Sequence, residues 1–311
     1  MTTLLVTHPA FARHENPRGH PERVDRILAV ETILSDPAFA ELNRKEAPEA
    51  PIDAIVSCHP LHYVETLQNL NPHDDEDMVS IDGDTSMSSG TFEAAMRGAG
   101  GAMLAVDHVM DGRAQNAFLA ARPPGHHAEP TRAMGFCFFN NVAIAARHAQ
   151  RVHGAARIAI MDFDVHHGNG TQAIFWNDPT VLYASTHQMP LYPGTGARNE
   201  TGEAGTIVNA PLRAGQGGRE FREAMVELIL PRIKAFSPDL VLISAGFDAH
   251  ERDPLGSLNF VEEDYAWATA QLMQAADHTA GGRIVSVLEG GYDLTALARS
   301  SAVHVATLME G

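Results

Sequence analysis

RIAIMDFDVHHGNG, residues 157–170, runs from an apolar segment into Asp162, Asp164 and His166 at alternate positions. Alternation along a strand puts these three side chains on one face and Phe163 and Val165 on the other. Two carboxylates and an imidazole gathered on one side of a buried strand are costly unless something of opposite charge compensates. A divalent cation does so. Histidine outnumbers cysteine seventeen to two in this chain, so a metal here falls to nitrogen and oxygen ligands.

Similar apolar runs recur on both sides of this segment. Residues 3–8, 116–120, 181–187, 206–212, 240–248 and 283–291 read as strands, which with 157–165 makes seven. Most lack a polar face, as strands covered on both sides must. Helical patterns over 88–110, 140–153, 218–236 and 261–279 separate them. Strand–helix alternation predicts an α/β fold with a parallel sheet between helices. With no repeat or linker in view, residues 1–311 read as one domain. The acidic stretch 71–89 reads as a long loop.

In such a sheet ligands gather at the carboxyl edge. LISAGFDAHERDP (242–254) brings Asp248 to that edge, and SVLEGGYDL (286–294) brings Tyr292 on a glycine-loosened turn. ARPPGHHAE (121–129) adds His126 and His127 on a tight Pro-Pro-Gly loop. Taken alone, adjacent loop histidines are as well explained by water and backbone partners. At this edge they complete a hydrolytic constellation. Asp164, His166 and Asp248 would hold the metal, one imidazole would move protons while its neighbour supports developing charge, and Tyr292 would donate to an oxyanion.

The net charge of −17 and the lack of a Lys/Arg block argue against nucleic acid. An acidic surface either draws cationic substrates or simply keeps the chain soluble. No apolar run is long enough to span a bilayer and no leader is visible, so no membrane partner is expected. Two cysteines suggest a reducing compartment, and the cytoplasm is the expected location.

RPPGHHAE, GFCFFNNVAIAARHAQ, DFDVHHGNGTQ, VLYASTH, LISAGFDAHERDPLG and LEGGYDL together resemble the zinc-dependent histone deacetylase family. The likeness is closest to its class II branch, beside bacterial deacetylase-like amidohydrolases and acetylpolyamine amidohydrolases. It implies an arginase-like fold whose central parallel sheet has eight strands, and one catalytic Zn2+ on Asp164, His166 and Asp248. By the same likeness His127 is the general base and acid, Asp162 orients His126, and Asn169 stands where class I members carry aspartate. A neutral partner should make His127 less basic. Tyr292 matches the oxyanion tyrosine. Phe136 matches one wall of an acyl-lysine tunnel, Tyr192 stands where the other wall is usually phenylalanine, and Gly135 and Gly290 flank the substrate.

Asp84 lies near a position that grips substrate backbone, Leu255 at the gatekeeper position, and Arg26 near an acetate exit path. A structural K+ would sit on Ser185 and the backbone of Asp162, Asp164, His166 and Thr186. His250 is left as a rim contact, a substrate selector or a surface residue. The implied substrate is an acylated lysine side chain of a protein or peptide, with an acetylated small amine such as an acetylpolyamine as the alternative. A homo-oligomer is compatible with this reading. A manganese ureohydrolase would need further bridging aspartates that these motifs lack. A catalytically silent acyl-binding module would have lost Tyr292 or a metal ligand.

Overall fold

The computed structural model describes residues 2–74 and 77–311; residues 75 and 76 of the acidic stretch lie outside it. Ten strands occur among the described residues: β1 Thr3–Thr7, β2 Asn43–Glu46, β3 Val79–Ser80, β4 Ser86–Met87, β5 Asn116–Leu119, β6 Ile158–Asp162, β7 Val181–Gln188, β8 Ile207–Leu212, β9 Leu240–Ala245 and β10 Ile284–Leu288. The helices are α1 Asp25–Leu34, α2 Ile52–Ile55, α3 Leu61–Leu70, α4 Thr91–Met110, α5 Asn141–His153, α6 Asn169–Phe175, α7 Gly218–Ala224, α8 Leu230–Phe236, α9 Glu262–Thr279 and α10 Leu294–Glu310.

Eight strands form one sheet in the order β2-β1-β5-β10-β9-β6-β7-β8, and every pairing in it is parallel. The seven expected strands are all present. The eighth, β2, is the polar edge segment NRKE, which pairs only with β1. β3 and β4 form a two-residue hairpin inside the acidic stretch, so that stretch is not loop throughout. Residues 218–236 do not make one α-helix. A π-helical turn, Met225–Ile229, separates α7 from α8 just before Pro231, whose missing N–H interrupts the regular ladder.

β5 shows how both faces of the sheet are covered. Phe118 meets the His304 ring of α10, with centroids 5.5 Å apart. Its neighbour Leu119 points the other way, onto Gly101 of α4. Consecutive strand residues face opposite sides, so α4 and α10 lie on opposite faces. No helix among the described residues is long and apolar enough to cross a membrane.

Several strands end sooner than their apolar runs. β6 stops at Asp162 rather than 165, β9 at Ala245 rather than 248, and β10 at Leu288 rather than 291. After β6 and β10 the backbone leaves the ladder to bond carboxylates, and after β9 the Phe247 amide donates to the Gly290 carbonyl at 3.0 Å. The Val165 amide donates to Asp248 Oδ1 at 2.8 Å, and the Gly290 amide to Asp164 Oδ2 at 2.8 Å. These departures build the site.

Candidate active site

Asp164 and His166 follow β6, and Asp248 follows β9, its immediate neighbour in the sheet. His166 Nδ1 lies 3.0 Å from Asp164 Oδ1 and 3.2 Å from Asp248 Oδ2. All three residues are buried, with ligand atoms within 4.8 Å of one another. Burial alone would lower the His166 pKa, but its bonds to Asp164 and Asp248 pull it up to about 10. Asp248 is pushed up to about 7 by burial and by Asp164. Both shifts have one meaning: two buried carboxylates at this point demand a positive charge. An N/O donor set with that demand fits a divalent cation. Gly290 closes tightly on the group, since a Cβ there would stand 2.0 Å from Asp248 Oδ2.

The tandem histidines occupy different electrostatic settings. His126 Nδ1 lies 3.0 Å from Asp162 Oδ2. Burial disfavours its charged form, but Asp164 and Asp162 outweigh burial and hold its pKa well above the ordinary value. His127 Nδ1 lies 2.8 Å from Asn169 Oδ1. The Asn169 amide donates to Glu129 at 2.8 Å, which leaves its oxygen for His127. His127 therefore donates from Nδ1 and keeps Nε2 free as an acceptor. Its pKa is well below the ordinary value because of burial first, then His126 and His166. The Asn169 bond itself raises the pKa, and burial beside two imidazoles overrides it.

A cavity of about 230 Å³ leads to this group, lined by Asp84, His127, Gly135, Phe136, His166, Leu191, Tyr192, Leu255 and Tyr292. Tyr192 crosses His127 edge-on at 5.1 Å between centroids, and Phe136 crosses Tyr292 at 5.9 Å. Gly135 and Phe136 both adopt left-handed backbone, with φ of 56° and 68°. At Gly135 a Cβ would stand 2.5 Å from the His127 ring, so only glycine fits. Phe136 bears strain that side chains usually avoid, and this presents its ring to the cavity. Asp84 sits on the rim, where its backbone carbonyl is 3.0 Å from His20 Nε2. Asp162 pairs with Ser185 in the β6–β7 ladder, which brings the end of β6 beside Ser185 and Thr186 within β7; with Asp164 and His166 just past β6, these are the five residues considered for K+. Ser185 Oγ lies 2.9 Å from His187 Nδ1.

One expectation changes. His250 is 3 % exposed, lies outside the cavity lining and faces Glu262 at 3.4 Å, so it is no surface residue or rim contact. Arg26 is fully buried and donates to the carbonyls of Glu289 and Gly291, each at 2.6 Å, with its guanidinium 4.8 Å from the Tyr292 ring centroid. Its visible work is to hold the turn that carries Tyr292.

Other residues escaped the sequence reading. Asp253 accepts the Tyr292 amide at 2.7 Å and the Leu255 amide at 3.0 Å, tying the gatekeeper loop to the tyrosine turn. Glu289 accepts the Gly125 and His126 amides at 2.6 and 3.1 Å and so anchors the histidine loop. Glu289 ends an apolar strand as Asp162 does, a signal that could have found it. Asp253 gave none, because the Tyr292 amide it accepts lies 39 residues away.

A parallel α/β sheet with a buried acid–imidazole group and free proton carriers at its carboxyl edge defines a hydrolase of the arginase-like fold. The histone deacetylase domain family matches residues 20–308. Histone deacetylase 14, chloroplastic, of Arabidopsis thaliana is 40% identical, over 96% of this chain and 75% of its own. The histone deacetylase-like amidohydrolase of Pseudomonas aeruginosa is 38% identical, over 92% of this chain and 74% of its own. The crystal structure of the HDA15 HD domain superposes with a TM-score of 0.94 at 34% identity, covering 99% of this chain and 88% of that one. The chain belongs to the histone deacetylase family.

Proposed function

We propose that this protein is a zinc-dependent deacetylase that removes the acetyl group from acetylated lysine side chains of proteins or peptides. The observation that carries this reading is the Asp164–His166–Asp248 group at the base of a narrow cavity that also receives His127 and Tyr292. Asp164, His166 and Asp248 would hold the ion, which supplies Lewis acidity toward the amide carbonyl and lowers the pKa of water. His127, neutral and with Nε2 free, takes the proton of the attacking water and later hands it to the leaving amine. His126 stays protonated between Asp162 and Asp164 and supports the developing negative charge. Tyr292, whose phenol burial holds far above its ordinary pKa, stays protonated and donates to the oxyanion. Phe136, Tyr192, Leu191 and Leu255 offer apolar surface to a lysine stem, and Asp84 offers a carboxylate to the backbone at the mouth. A structural K+ beside Ser185 and a cytoplasmic location, in keeping with two buried free cysteines, belong to the same reading.

A second reading, deacetylation of acetylpolyamines, is favoured by the net charge of −17 and the rim carboxylate of Asp84. Leu255 argues against it, since an ammonium group buried beside leucine finds no partner. A panel of acetyl-lysine peptides, acetylpolyamines and longer acyl-lysines, read as kcat/KM at low and moderate salt, separates the two. Acetyl-lysine should lead by at least about tenfold, or roughly 1.4 kcal/mol. A preference for acetylspermidine that persists at moderate salt would overturn the lysine reading, because long-range attraction fades with ionic strength while pocket contacts persist.

A further inference from the structure

A second Asp/His group lies away from the cavity, on α4 and α5. His148 Nε2 and His153 Nε2 both converge on one oxygen, Asp107 Oδ1, at 2.6 and 2.7 Å. The two rings meet edge-on with centroids 5.8 Å apart. The His148, His153 and Asp107 side chains are 11, 13 and 32 % exposed, so the group is open to solvent yet held in place. The remaining nitrogen of His153, Nδ1, faces Asp111 Oδ1 at 3.6 Å. A carboxylate behind the far nitrogen is how ligating histidines are commonly oriented. The three ligand atoms lie within 4.8 Å of one another, and a shared ion would replace the two hydrogen bonds, with the N···O contacts widening by roughly half an ångström to about 3.3 Å. Two imidazole nitrogens and one carboxylate oxygen suit zinc or copper rather than calcium or magnesium.

We propose that Asp107, His148 and His153 form a transition-metal site, independent of the catalytic group, that clips α4 to α5. α5 gives the clip a route to the rest of the molecule. Asn140 caps its first turn, and its side chain lies 3.0 Å from Thr171, beside the histidine loop. The helix places His148 and His153 about 12 and about 20 Å further along, at about 1.5 Å per residue.

The test dialyses the full-length holoenzyme against low micromolar Zn2+ and compares its metal content with that of H148A/H153A and of D107N. The wild type should hold one more ion per chain than either variant, whatever the Asp164 group holds, because that group is the same in all three. Cu2+ bound to the wild type should give an electron paramagnetic resonance spectrum with two nitrogen couplings that the double variant lacks. Zn2+ should raise the Tm of the wild type beyond any shift in the variants. If the double variant does not fold, D107N carries the comparison. Equal metal content in the wild type and a folded variant would overturn the proposal.

Discussion

Two Asp/His groups in this molecule use the same donor types to opposite effect. Asp164, His166 and Asp248 stand at strand ends and are buried, whereas Asp107, His148 and His153 stand on two helices and reach solvent. At the strand ends two carboxylates share one imidazole, and their pull holds a proton on His166 up to about 10. On the helices one carboxylate serves two imidazoles. Burial raises the Asp107 pKa, but bonds from His153 and His148 outweigh it and leave the carboxyl below its ordinary value. The buried group is therefore short of positive charge, while the helical group is balanced by its own hydrogen bonds. Backbone amides also fix the buried carboxylates, at Val165 for Asp248 and at His166 and Gly290 for Asp164. A cation would offset a deficit of positive charge at the first group, whereas the second has no such deficit to offset. The ratio of carboxylates to imidazoles makes that difference, and burial magnifies it.

Breaking the buried group should have the largest effect. Asp164→Ala should lose one ion per chain and all turnover together, keeping only what Asp107, His148 and His153 bind, whereas His148→Ala should leave kcat unchanged. Metal content beside a fluorogenic acetyl-lysine assay checks both. Next in size, His127→Ala should keep the metal yet lose about 10²–10⁴-fold in kcat, since both proton transfers lose their carrier. Tyr292→Phe removes a single donor and should cost about 10²–10³ in kcat. A near-normal rate would reduce Tyr292 to packing.

Smaller effects sharpen the contrast at the rim and in the core. Leu255→Glu should shift the acetyl-lysine to acetylpolyamine ratio of kcat/KM by about tenfold toward polyamines. Two further histidines, His59 and His304, are buried as neutral groups, with pKa values lowered by burial to about 4 and about 3. Once unfolded they regain a pKa near 6.5, so from about pH 6.5 downward the unfolded chain takes up protons that the folded chain refuses. Stability should therefore fall as pH drops from 6.5 toward 4. Urea midpoints across that range should show a shallower slope for His304→Gln than for the wild type.

Much of the sheet was legible because its strands are apolar on both faces, and much of the site because strand ends carry carboxylates that an apolar strand cannot explain. β2 was not legible. Its residues NRKE carry no apolar pattern, and an edge strand needs only a backbone ladder to β1. The early ends of β6, β9 and β10 were hidden for another reason. Phe163 and Val165 are as buried outside the ladder as inside it, so hydrophobicity cannot mark where pairing stops. Leu191 and Asp253 were missed because each acts through a loop whose position the rest of the fold determines. His250 misled in the reverse direction. Its place two residues after Asp248 suggested the rim, but its ring turns inward to Glu262 at the start of α9.

The central claim is that the buried acid–imidazole group runs deacetylation through one bound ion. Its most direct test strips the wild-type protein with a chelator and titrates Zn2+ back while following turnover of an acetyl-lysine peptide. Activity should be lost on stripping and return fully with the equivalent that Asp164→Ala cannot bind; any further equivalent, taken up at Asp107, His148 and His153, should leave the rate unchanged. Full turnover by the metal-free protein would contradict the account.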